Sequence, residues 1–178
     1  MTDRSVPAGT GDDTRTLEVS WADPRAVALR ASQLSRDELL KSMVSGALPN
    51  PPIAQLLNFR VVEAEVGRVV VELVPDERHE NVIGLVAGGV AASCLDAAMW
   101  IAVQSSLVDG SMVSTVNMNL HFIRRLSRES GPVRAVARTL HMGRSTATAE
   151  SWLEDASGRR YAHATASFLR MGVADDHR

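Results

Sequence analysis

Along residues 112–122 the chain alternates. Val116, Met118, Leu120 and Phe122 fall on one side and Thr115, Asn117, Asn119 and His121 on the other, so a period of two predicts a strand over Met112–Phe122. From Gly88 to about Gln104 the pattern is different. Small and apolar residues run GGVAASCLDAAMWIAVQ with hardly a polar side, which predicts one long, largely buried helix. Before it, Phe59–Glu65 and Arg68–Val74 flank Gly67 as two strand-like runs of a hairpin. After it, Pro132–Leu140, Ser145–Leu153 and Arg160–Leu169 carry further strands, with turns near Met142-Gly143 and across Asp155-Ala156-Ser157-Gly158. A hairpin, one central helix and a run of antiparallel strands predict an α+β domain with the helix on one sheet face.

Residues 17–52 read as a helical extension. Asp23 before Pro24 has the order of an N-cap and a first helical residue, opening a helix of about ten residues. Ser35-Arg36-Asp37-Glu38 is a capping box: the hydroxyl accepts from the third amide and Glu38 reaches back. Leu39, Leu40, Met43 and Val44 share one side of this second helix, and Gly46 suits its end. Pro49-Asn50-Pro51-Pro52 then separates the extension from a main domain over residues 53–172. Residues 1–16, rich in Gly, Asp, Thr and Arg, are expected to be a disordered tail, and 173–178 a short C-terminal tail. The extension helices are expected to pack on the domain or on a dimer partner.

Composition narrows the field. A chain of 178 residues suffices for one domain with a full core and an appendage. A net charge of −2 argues against a nucleic-acid protein, but residues 120–172 hold nine Arg against four acids. That excess suits one phosphorylated ligand better than a polyanion. Cys94 is the single cysteine, so no intramolecular disulfide forms and a reducing cytoplasm fits. The start MTDRSVPAGTGDD lacks a signal peptide's apolar stretch. The longest apolar run, Val82 to Leu95, falls short of the ~20 residues that span a bilayer. A cytoplasmic protein with neither nucleic-acid nor membrane partner is expected.

One carboxylate interrupts the long helix. Asp96 stands among apolar neighbours, where an ionised acid is costly unless paired, hydrogen-bonded or working. The helix opens at Gly88-Gly89 and is entered from the loop Asn81-Val82-Ile83-Gly84-Leu85-Val86-Ala87. A loop, free backbone N–H groups at a helix start and a lone acid outline an active site. Blander roles exist for each residue: Asp96 satisfied by a neighbouring strand, the Gly pair serving close packing, Asn81 capping a turn. Cys94 reads as a small buried hydrophobe, His79 as a loop residue, and His121 and His163 as strand-surface residues. No His/Cys/Asp cluster has metal-ligand spacing, so no metal is expected.

The order of elements and the string NVIGLVAGGVAASCLDAAM resemble the hotdog-fold acyl-CoA thioesterases, in particular the phenylacetate-pathway (PaaI-like) group. Members show Asn, Gly three residues on, then His-Gly-Gly, then Asp eight residues after the first Gly of that pair. Asn81, Gly84, Gly88 and Asp96 keep that spacing. Met142-Gly143-Arg144, the strand Thr115–Leu120 and the ending Tyr161-Ala162-His163-Ala164-Thr165 also match, so the likeness spans roughly residues 50–172. One position departs from the pattern: Ala87 stands where the family has His. The resemblance implies an antiparallel sheet wrapped around one central helix, and a homodimer or homotetramer. It implies an aryl- or medium-chain acyl-CoA substrate, with coenzyme A as part of substrate and product and no other cofactor. It makes Asn81 and Thr115 orienting residues, and gives Gly89, Gly143 and Arg144 contacts to the substrate.

Thioester hydrolysis needs an attacking group and a donor for the oxyanion. A helix-N-terminal amide with the dipole behind it is such a donor, and Gly88 leaves room for an acyl group. Asp96 serves as general base or as nucleophile. Met99 and Trp100, one turn further, stand either in the core or along an acyl pocket. Eight residues at 1.5 Å each set Asp96 about 12 Å along the axis from Gly88. Two antiparallel helices in a dimer bring Gly88 of one chain to Asp96 of the other. Ala87 keeps two alternatives open: a catalytically weak protein that binds an acyl-CoA or other apolar ligand, and a hotdog enzyme of different chemistry, dehydratase or cyclase.

Overall fold

The computed structural model describes residues 14–172. The expectations for 173–178 and for all but the last three residues of the 1–16 segment lie outside the described residues. Among the described residues the order is α1 (Pro24–Ser32), α2 (Arg36–Ser45), α3 (Pro52–Leu56), β1 (Phe59–Glu65), β2 (Arg68–Leu73), α4 (Gly88–Ser105), β3 (Met112–Phe122), β4 (Val133–Met142), β5 (Thr146–Asp155) and β6 (Arg160–Met171). Every strand pairing is antiparallel, in the order β1-β2-β4-β5-β6-β3, with α4 against one face. This is the hotdog arrangement.

Small residues let the helix lie close to the sheet. Ala135, Ala137, Ala147, Ala149 and Ala164 are fully buried, and so are Cys94, Leu95, Ala98, Met99, Ala102 and Val103 of α4. Larger side chains, among them Leu73, Leu153 and Phe168, close the remaining space. No described helix is long and apolar enough to cross a membrane.

The helix signals in the extension act as their chemistry requires. Asp23 accepts from the Arg25 amide, both halves of the Ser35–Glu38 box form, and Gly46 ends α2 at φ 76°. Leu40 and Leu48 are buried and α2 packs on β1, whereas α1 buries none of its residues. The Pro-rich separator holds more structure than its composition predicts. Pro52 takes the first position of α3, where its missing N–H costs nothing, and Ala54 anchors this turn in the core at 3% exposure.

Candidate active site

Asp96 sits on the half-buried face of α4, beside β3. Thr115 Oγ1 donates to Asp96 Oδ1 at 2.9 Å. One turn on, Trp100 Nε1 donates to the Val113 carbonyl at 2.8 Å. A turn further, Gln104 accepts from the Val113 amide at 3.2 Å and donates to the Ser111 carbonyl at 3.0 Å. The match is geometric. Four helical residues rise about 6 Å, and two strand residues rise about 6.8 Å, so positions 96, 100 and 104 can step along 115, 113 and 111. The carboxylate is thus held by a series of side-chain bonds from one helix face to the edge strand.

Period two then poses a problem, because residues 115 and 122 of a regular strand lie on opposite faces. A bulge solves it. Between Thr115 and Asn117 the register against β6 slips, two residues of β3 opposing a single step from Phe168 to Ser167. Thr115 therefore reaches Asp96 while Phe122 reaches Gly88 on the same helix. A Cβ built on Gly88 would fall 2.7 Å from Phe122 Cζ. Gly88 is small because an aromatic ring from its own chain lies against it. Gly89 is exposed, and a Cβ there would meet nothing within 4 Å.

Gly88 opens a cavity of about 450 Å³ that Asn81, Phe122, Arg124 and Arg125 also line. Asn81 caps its own loop: Oδ1 accepts from the Ile83 amide at 3.0 Å and the Leu85 amide at 3.2 Å. Ala87 occupies the N-cap of α4 and brings no side-chain acceptor to the first turn. Its amide donates to the His79 carbonyl at 2.8 Å. His79, in a 3-10 turn at Glu77–His79, is 2% exposed; Nδ1 accepts from the Asp76 amide at 3.1 Å. Its Nε2 is buried without a partner among the described residues. Burial holds this imidazole below its usual value, against the pull of the Asp76 carboxylate.

Asp96 belongs to a different cavity, of about 320 Å³, shared with Trp100, Ile101, Phe59 and Ile53. Within one chain the carboxylate and the helix start do not converge. Met99 lines neither cavity; it is fully buried in the core. Gly143 forms the β4–β5 turn, its amide donating to the Thr146 carbonyl at 2.8 Å and its carbonyl accepting from Arg170 at 2.9 Å. Arg144 is exposed on that turn, at the sheet end opposite Phe122 and Gly88. Cys94 is fully buried, and desolvation pushes its thiol up to about 12, so it is inert in the folded chain. Phe122, Arg124, Arg125 and Ile53 escaped the sequence reading. The Arg excess after residue 120 pointed to the two arginines, but nothing local marked the aromatic or the isoleucine.

Residues 83–162 match the profile of the thioesterase superfamily. The chain is 26% identical over 103 residues to a 1,4-dihydroxy-2-naphthoyl-CoA hydrolase of Listeria monocytogenes serotype 1/2a, covering 58% of this chain and 82% of that protein. Among solved structures, a phenylacetic acid degradation-related protein of Ralstonia eutropha JMP134 superposes with a TM-score of 0.65 at 29% identity, over 73% of this chain and 98% of that one. The PaaI protein of the E. coli phenylacetic acid degradation operon shares the fold at a TM-score of 0.68 and 19% identity, over 78% and 98%. Over residues 83–162 the chain is therefore similar to the thioesterase superfamily, and its fold is the hotdog fold of the PaaI-like structures. These likenesses support thioester hydrolysis as its chemistry.

Proposed function

We propose that the protein hydrolyses acyl-CoA thioesters at a site shared by two copies of the chain, Asp96 from one and the Gly88 helix start from the other. The observation that carries this reading is the separation of the two groups into different cavities of a single chain. Two features favour a second copy as the missing half. The face of α4 that bears Asp96, Ala97, Trp100 and Ile101 is only half covered, and β3 is an 11-residue edge strand with Val116 exposed.

Thr115 occupies one oxygen of the Asp96 carboxylate, leaving the other to take a proton from water. The water oxygen adds to the thioester carbon, and negative charge gathers on the carbonyl oxygen at the partner's helix start. Collapse breaks the C–S bond, and the coenzyme A thiolate recovers the proton held by Asp96. Asn81, whose Oδ1 is committed to its loop, keeps its amide nitrogen for the substrate. Arg124 and Arg125 of the Gly88 cavity, with Arg144 from the opposite end of the other chain, meet the coenzyme A phosphates.

Release of free thiol from a panel of aryl- and alkyl-CoA esters tests this, with wild type, Asp96→Asn and Ala87→His compared. Turnover that falls about 10²- to 10⁴-fold in Asp96→Asn is expected. Undiminished turnover in that variant would remove Asp96 from the chemistry. A silent wild type beside an active Ala87→His would mark a disarmed relative that binds its ligand without turning it over.

A further inference from the structure

We infer that Pro51 and Ile53, where the N-terminal extension joins the domain, form the wall that limits the acyl group, and that this group is compact, apolar and free of polar substituents at its far end. The inference rests on the hydrolase reading, because Asp96 fixes where the thioester carbon lies. Asp96 lines the cavity of about 320 Å³, so an acyl carbon held at its carboxylate extends its chain into that space. The cavity's apolar walls are Pro51, Ile53, Phe59, Ala97, Trp100 and Ile101. Ile53, 49% exposed in the single chain, lines the same cavity as the acid.

The wall is stiff. Pro51 and Pro52 fix two successive φ angles, and the Pro51 carbonyl accepts from the Ala54 amide at 3.0 Å. Ala54, at 3% exposure, ties the turn to the core. The side-chain donors around the cavity are already spent. Ser93 Oγ donates back to the Gly89 carbonyl at 2.9 Å, and the Trp100 N–H is spent on Val113. Pro51 and Pro52 have no N–H to offer. A hydroxyl carried deep into this space would lose its water among mainly apolar walls, with no side-chain donor free to meet it. The volume lies at the low end of the ~300–1,000 Å³ of small-molecule sites, enough for one ring or a short chain.

The test measures kcat/KM by thiol release for butyryl-, hexanoyl-, decanoyl-, phenylacetyl- and 4-hydroxyphenylacetyl-CoA. Wild type is expected to favour hexanoyl over decanoyl, and phenylacetyl over its hydroxylated analogue by about 10- to 100-fold. Ile53→Ala should shrink the hexanoyl-to-decanoyl preference about tenfold, and Ile53→Trp should move the optimum to butyryl. Ratios that stay within twofold of wild type in both variants, while thiol release continues, would overturn the inference and leave the hydrolase standing. A wild-type preference for the hydroxylated ester would do the same. No turnover of any ester by wild type would sink the hydrolase reading and the inference together.

Discussion

A hydroxyl that donates to one oxygen of a carboxylate both orients it and leaves the other oxygen for work, which is the position of Thr115 toward Asp96. Thr115→Val keeps the shape and removes that bond, so kcat should fall about tenfold while the melting temperature moves little. An unchanged kcat would reduce Thr115 to packing. Gly88→Ala sets a methyl against the far end of a ring that is 60% exposed and free to turn. The expected cost is about 1 kcal/mol or less, and it should vanish in a Phe122→Ala background, since the clash is with that ring alone. Urea unfolding of the four proteins measures it; a cost that persists without Phe122 would point to the helix itself. The imidazole of His79 supplies a pH signature. Its folded pKa is depressed by burial, so the unfolded chain takes up a proton near the usual 6.5 while the folded chain still excludes it. Its contribution is therefore full above that pH and is lost as pH falls from there through the lower folded value. The urea midpoint of wild type should drop more steeply with acidification over this window than that of His79→Gln. Parallel slopes would contradict it.

At the scale of elements, the extension and the edge strand carry the consequences. Because α2 packs on β1 and buries Leu40, its capping box should contribute to the cooperative unfolding of the domain. Ser35→Ala is expected to lower global stability by about 1 kcal/mol. A midpoint that does not move would show α2 unfolding on its own. Local chemistry made many of these elements legible. Pro24, Ser35, Gly46 and Gly67 mark their boundaries by caps and turns that act within a few residues, and α4 runs over Gly88–Ser105, close to the range its composition predicts. Asp96 was legible as a lone acid at a family motif's spacing and Thr115 through the resemblance of its strand, and the two are in contact. The bulge at Thr115/Asn117 was not legible. Uninterrupted alternation puts Phe122 on the face away from Thr115, and only pairing with β6 reveals the slip. Pro51 and Ile53 were hidden for a similar reason: a Pro-rich separator announces a break in pattern, and its packing against α4 is a matter of tertiary structure.

For the whole molecule, the proposed arrangement gives each chain two halves of different sites. The helix geometry, the two cavities and the half-covered face of α4 all bear on it. Mixing two inactive variants tests it most directly. A protomer with Asp96→Asn retains its Gly88 helix start, and one with Gly88→Val retains its carboxylate. Each homodimer has both sites disabled. A mixed dimer has one site in which both residues are intact, so random reassortment after refolding together should restore about a quarter of wild-type thiol release. If each chain instead carries a complete site, the mixture stays as inactive as its components, and the two-chain account is wrong.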